Sequence, residues 1–137
     1  MRLKTVAIYL ALGASLAACS DDPVPVQVLS SYEASVFTIT PTGQAPIDVL
    51  AAGGSLAITL MTNGTTTGTL VVPAPLNNGV AINESMAGTF TRNGDTVTFD
   101  QSADTFVRDM TFTVVGNVMT GSLSSGGETV AVTLLLQ

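Results

Sequence analysis

From Ser31 to the C-terminus the chain repeats one pattern: short runs of alternating apolar and polar residues, separated by turns that carry Gly and Asn. Period-two alternation places successive side chains on opposite faces of an extended strand. In the last run Val130, Val132, Leu134 and Leu136 share one face, and Thr129, Ala131 and Thr133 share the other. Met110, Phe112 and Val114 alternate with Asp109, Thr111 and Thr113, and Val97 and Phe99 with Thr96 and Thr98. Asn63-Gly64, Asn93-Gly94-Asp95, Gly116-Asn117 and Ser125-Gly126-Gly127 supply the positive φ that tight hairpins need. The pattern predicts eight strands: Ser31–Thr40, Ser55–Thr62, Thr65–Val72, Met86–Arg92, Thr96–Asp100, Thr105–Val115, Asn117–Leu123 and Glu128–Leu136. Two stretches interrupt it. Ala45–Gly54 predicts a helical turn before Gly53-Gly54, and Pro73–Ser85 is the longest loop.

One apolar face per strand implies a single core. Hairpin-linked antiparallel strands close naturally into an up-and-down barrel, which leaves no exposed edges. The expected fold is therefore all-β, a small barrel of about eight strands, wide enough to be filled by side chains or to hold one small ligand. A two-sheet β-sandwich is the alternative. Mostly short connections favour the barrel.

The N-terminus has a different character. Arg2 and Lys4 precede a short apolar run, and Leu16-Ala17-Ala18-Cys19 follows. The run is shorter than the roughly 20 residues of a membrane-spanning helix, and its parts match an export signal. The Leu16–Cys19 stretch resembles the lipobox of bacterial lipoproteins. That resemblance implies cleavage between Ala18 and Cys19, diacylglycerol on the Cys19 thiol and frequent acylation of the new amino end. An ordinary secretory signal with a chance cysteine is the other reading, but Leu16, three residues before Cys19, is the additional lipobox feature. The expected organisation is a signal peptide over residues 1–18, a lipidated cysteine and tether over 19–30, and a β-barrel domain over 31–137. Pro23 and Pro25 disfavour regular structure in the tether, and Asp21-Asp22 solvates it. Ser20, rather than an aspartate, follows the cysteine. In that family this favours the outer membrane, so the expected location is the cell envelope.

Without the signal, Arg92 and Arg108 are the only basic residues against ten acids. No basic run exists to neutralise phosphates, which disfavours nucleic acid as a partner. Membrane attachment would come from Cys19 alone. Histidine is absent and Cys19 is the single cysteine, so neither a Ser-His-Asp nor a Cys-His arrangement can form. No disulfide can brace the domain. Asp100 and Asp104 could touch a calcium ion, but their spacing lacks the EF-hand pattern and they read as solvated loop acids. No catalytic residue, metal site or cofactor is expected, and the chain is not expected to be an enzyme.

Phe90, Phe99, Met110 and Phe112 are the candidates to line a pocket for a small apolar ligand. The alternative is that they fill the core. Arg108 could point inward to bind a ligand's acid group or lie exposed on its strand, and the exposed reading is favoured.

Gly88-Thr89-Phe90-Thr91, Gly94-Asp95-Thr96-Val97-Thr98-Phe99, Thr105-Phe106-Val107-Arg108-Asp109, Gly116-Asn117-Val118-Met119-Thr120-Gly121 and Thr129-Val130-Ala131-Val132 together resemble a lipocalin-like (calycin-type) domain. The chain has no tryptophan, where lipocalins carry a Gly-x-Trp near the first strand. The expected role is non-catalytic, in the envelope: binding a small apolar ligand or another envelope component. The alternative is a filled scaffold for protein–protein interaction at the cell envelope, and an enzyme built on paired carboxylates is the least favoured reading.

Overall fold

The structure is a computed structural model that describes residues 24–137. The signal segment, the cleavage site at Ala18 and Cys19, and the first part of the tether lie outside the described residues. The elements run β1 (Val28–Pro41), β2 (Ile47–Asp48), β3 (Ser55–Met61), β4 (Thr65–Val72), a 3-10 turn (Ala74–Leu76), β5 (Ile82–Ser85), β6 (Gly88–Asn93), β7 (Thr96–Gln101), α1 (Phe106–Asp109), β8 (Thr111–Val115), β9 (Val118–Ser125) and β10 (Glu128–Leu136).

All pairings are antiparallel. β1, β3, β4, β6, β7, β8, β9 and β10 follow one another around the sheet, and β10 pairs back onto β1. The result is the closed eight-strand up-and-down barrel that the alternation predicts, not a sandwich. The closing ladder runs from Tyr32↔Leu136 to Pro41↔Glu128, with a bulge between Ala34 and Val36. The extra residue lets the long β1 bend, so its first half pairs with β3 and its second half with the two-residue β2.

β5 and β6 act as one bent strand. Thr69↔Ser85 and Thr65↔Thr89 belong to the same register on β4, although the ladder is interrupted around Met86-Ala87. Two glycines make the corner possible. A Cβ on Gly68, at φ +136°, would lie 2.0 Å from the Ala57 carbonyl oxygen, and one on Gly88 would lie 2.3 Å from that of Asp100. Glycine inside a strand commonly marks such a bend at a barrel corner.

Four expectations change in detail. The Thr105–Val115 segment is not one strand: Phe106–Asp109 forms a helical turn, and β8 starts at Thr111. Met110 still faces inward together with Phe112 and Val114. The helical turn expected before Gly53-Gly54 is replaced by β2 and a hydrogen-bonded turn. There the Asp48 carboxylate accepts from the Ala51 N–H at 3.1 Å. Just over half of the Pro73–Ser85 loop is regular structure, in the 3-10 turn and β5. Finally, β1 begins at Val28, so the last residues assigned to the tether belong to the barrel.

Inward side chains form one contiguous cluster that includes Tyr32, Phe37, Leu56, Ile58, Leu70, Met86, Val97, Phe99, Met110, Phe112, Met119, Val132 and Leu134. The two barrel ends differ. Short turns at 62–64, 93–95 and 116–117 lie at the end where β1 enters and β10 leaves; we call this the entry end. The longer connections lie at the opposite, closed end: 42–54, 73–81, 102–110 and the turn at 126–127. There Val49 and Val107 are fully buried, and the Phe106 ring packs on Phe37 at 5.6 Å. The connections 42–54 and 102–110 depart from the meander because their apolar residues stopper the barrel instead of extending its wall.

Candidate functional site

The five residues expected to meet a ligand do not form one pocket. Phe99, Met110 and Phe112 are in the core, with Phe99 and Phe112 in a T-shaped pair at 5.3 Å. Edge-to-face contact suits the aromatic quadrupole. Opposite Phe112 on β9 is Gly121. A Cβ there would meet the Met110 sulfur at 2.5 Å and the Phe112 ring at 2.8 Å, so the glycine provides the room that these two side chains occupy. Phe90 is half-buried near the entry end, where its N–H donates to the Gly64 carbonyl at 3.0 Å.

Arg108 is elsewhere. It sits on α1 outside the barrel, its guanidinium hydrogen-bonded to the Asp104 carboxylate one turn earlier and 3.9 Å from that of Asp109. The exposed reading of Arg108 therefore holds, although its element is a helical turn rather than a strand. Asp100 and Asp104 are both exposed. Among the described residues no group of three His, Cys, Asp or Glu side chains converges to hold a metal ion.

Sequence reasoning missed a buried polar node. Among the described residues, Thr66, Gln101 and Thr105 are the buried polar ones, set among apolar neighbours. The Met86 carbonyl accepts from Thr66 Oγ1 at 2.7 Å and from Gln101 Nε2 at 3.4 Å. These bonds satisfy the carbonyl that the β5–β6 corner removes from the regular ladder, as a buried backbone group requires. Gln101 Oε1 and Thr105 Oγ1 are buried with no hydrogen-bond partner among the described residues. The signal for Gln101 was present in the sequence: Val97, Phe99 and Gln101 continue one inward alternation.

Two concavities lie on the outside of the barrel. The larger, about 380 Å³, crosses the outer wall of β8, β9, β10 and β1, with Thr111, Thr113, Thr120, Ser122, Thr133 and Val36 among its lining residues. The ladder explains this composition. Thr96↔Thr113, Thr113↔Thr120, Thr120↔Thr133 and Val36↔Thr133 are cross-strand neighbours, so outward residues of adjacent strands, including the closing pair β10 and β1, merge into an uncharged, hydroxyl-rich wall. The smaller, about 260 Å³, lies at the closed end around the Ser125–Gly127 turn. There Thr42 Oγ1 donates to the Gly127 carbonyl at 2.7 Å.

The wall is equipped for contact and hydrogen bonding. No protein-family profile, no curated protein and no solved structure matches this chain.

Proposed function

We propose that this protein is a lipid-anchored barrel of the bacterial cell envelope with a non-catalytic role, working through its outer surface as a filled scaffold. The observation that carries the scaffold reading is the packed interior. Phe112 and Leu134 are fully buried and Phe99 nearly so, and both concavities described above are outside. Carriage of a small apolar ligand inside the barrel would require displacing those side chains, and close-packed cores resist such insertion. The hydroxyl-rich wall over β8–β10 and β1 is the surface best placed to meet another envelope component, because it presents polar groups without charge repulsion.

The anchor reading rests on Leu16-Ala17-Ala18-Cys19. Its energetics are sufficient: each buried acyl methylene contributes about 0.8 kcal/mol, and two chains anchor stably where one does not. Metabolic labelling with radioactive fatty acid tests it. The wild-type protein should be labelled and Cys19→Ala should not. Equal labelling of both would overturn the anchor.

A further inference from the structure

The barrel is polarised along its axis. The half towards the closed end carries Asp48, Glu84, Asp104, Asp109 and Glu128 against the single Arg108, while Asp100 is level with Thr89 and Thr65 between the ends. The half towards the entry end carries Glu33 and Asp95 against Arg92. Exposed large apolar residues are concentrated towards the entry end, although Ile47 and Val80 are exposed at the closed end. Val115 is 70% exposed, Val28 61%, Leu29 58%, Leu135 40% and Leu136 38%, and all five lie at the entry end. The register makes part of this set continuous. Val115 is opposite Val118, and Val118 is opposite Leu135, so three adjacent strands present apolar side chains outward at the same height. Isolated exposed apolar residues need no explanation, but a contiguous set marks an interaction surface.

The entry end is also where the chain arrives from Cys19. Gln27 is pinned there by two bonds to Thr62: its carbonyl accepts from the Thr62 N–H at 2.9 Å, and its N–H donates to Thr62 Oγ1 at 3.1 Å. Cys19 lies eight positions earlier. At no more than ~3.6 Å per residue, those steps keep the anchor within about 29 Å of Gln27. The acidic end is the one opposite the point where the chain enters the barrel.

We infer that the entry-end rim, centred on Val115, Val118, Leu135 and Leu136, docks on the zwitterionic lipid surface of the membrane that holds the anchor. This rests on the lipid-anchor reading above. Docking removes the apolar rim from water and leaves the strongly acidic end pointing outward, where it keeps neighbouring copies apart and faces partners. Two short contributions make the contact favourable: burial of aliphatic side chains at the head-group boundary and a high local concentration set by the short connection. The near balance of charge in this half avoids repulsion from the membrane.

The test uses the full lipidated protein in phosphatidylcholine vesicles. Acylation consumes the Cys19 thiol, so Val115→Cys provides one thiol for an environment-sensitive fluorophore, and Ser125→Cys provides the matching probe at the closed end. Flotation with the vesicles is measured first. Docking predicts a blue-shifted probe at 115, quenched by nitroxide-labelled lipid and several-fold less accessible to iodide than in detergent, with the probe at 125 unchanged. Adding Leu135→Asp to the labelled protein should restore iodide access at 115 while circular dichroism and flotation stay as in the parent. Flotation without lipid quenching at 115 would overturn docking and leave the anchor intact. Protection at 115 that depends on protein density rather than lipid would assign the rim to a second copy of the chain and overturn it too. Failure to float would remove the anchor reading, and this inference with it.

Discussion

Gly68 and Gln101 show how differently single residues contribute at the same corner of the barrel. Gly68 is there for space and conformation, since its φ is +136° and a Cβ would run into the Ala57 carbonyl. Gly68→Ala should cost about 3 kcal/mol, read as a lower urea midpoint with an unchanged slope. Gln101 is a half-satisfied amide: Nε2 reaches the Met86 carbonyl at 3.4 Å while Oε1 has no partner among the described residues. Thr66 makes the stronger bond to the same carbonyl. Gln101→Leu should therefore change stability by less than about 1 kcal/mol, with a gain as plausible as a loss, because an orphaned acceptor is removed with a weak bond. Thr66→Val should cost about 1–2 kcal/mol, because it leaves a buried carbonyl with only the long contact. Urea titrations of the two variants side by side check the ordering.

At the scale of elements, α1 separates the charge on its surface from the apolar residue beneath. Arg108 and Asp104 form an exposed pair one turn apart, and such pairs contribute little. Arg108→Ala should shift stability by less than about 0.5 kcal/mol. Val107 on the same turn is fully buried at the closed end, and Val107→Ala should cost about 1–3 kcal/mol. Thermal unfolding monitored by circular dichroism distinguishes the two. β5 and β6 give a second lesson. Their shared register on β4 means that the 82–93 segment is one strand bent at Met86-Ala87. No period in the sequence announces the bend, because Met86, Gly88 and Phe90 continue an ordinary alternation.

Across the whole molecule, closure joins distant parts of the chain. Most neighbouring strands are joined by short hairpins, but β1 meets β10 across nearly the full length of the domain, as in the Ser35–Thr133 contact. Leu134, fully buried on β10, sits in this closing ladder opposite Ala34. Leu134→Ala should cost about 2–5 kcal/mol. Hydrogen exchange should then show faster opening of β1 and β10 together, since removing either strand exposes an edge along the other. The filled core and the segregation of charge towards the closed end also exist only at this scale. Each acid is an ordinary turn or strand-end residue in its own hairpin.

The alternation in Glu128–Leu136 and the turn chemistry of Gly116-Asn117 are local properties, so the chain itself determined that it would be a meander of antiparallel strands with one buried face. It also carried the Leu16–Cys19 lipobox resemblance and the absence of histidine, which together bound the chemistry. It did not reveal that Phe106-Val107 would turn into a stopper instead of extending β8. Nor did it reveal that Phe99, Met110 and Phe112 would fill the interior rather than line a space. Those outcomes depend on how much volume is left when eight strands close, and on which side chains from distant strands compete for it. Only tertiary packing decides that. The same closure brought Val115, Val118 and Leu135 together on one rim, because adjacency across strands is a matter of register rather than of sequence order.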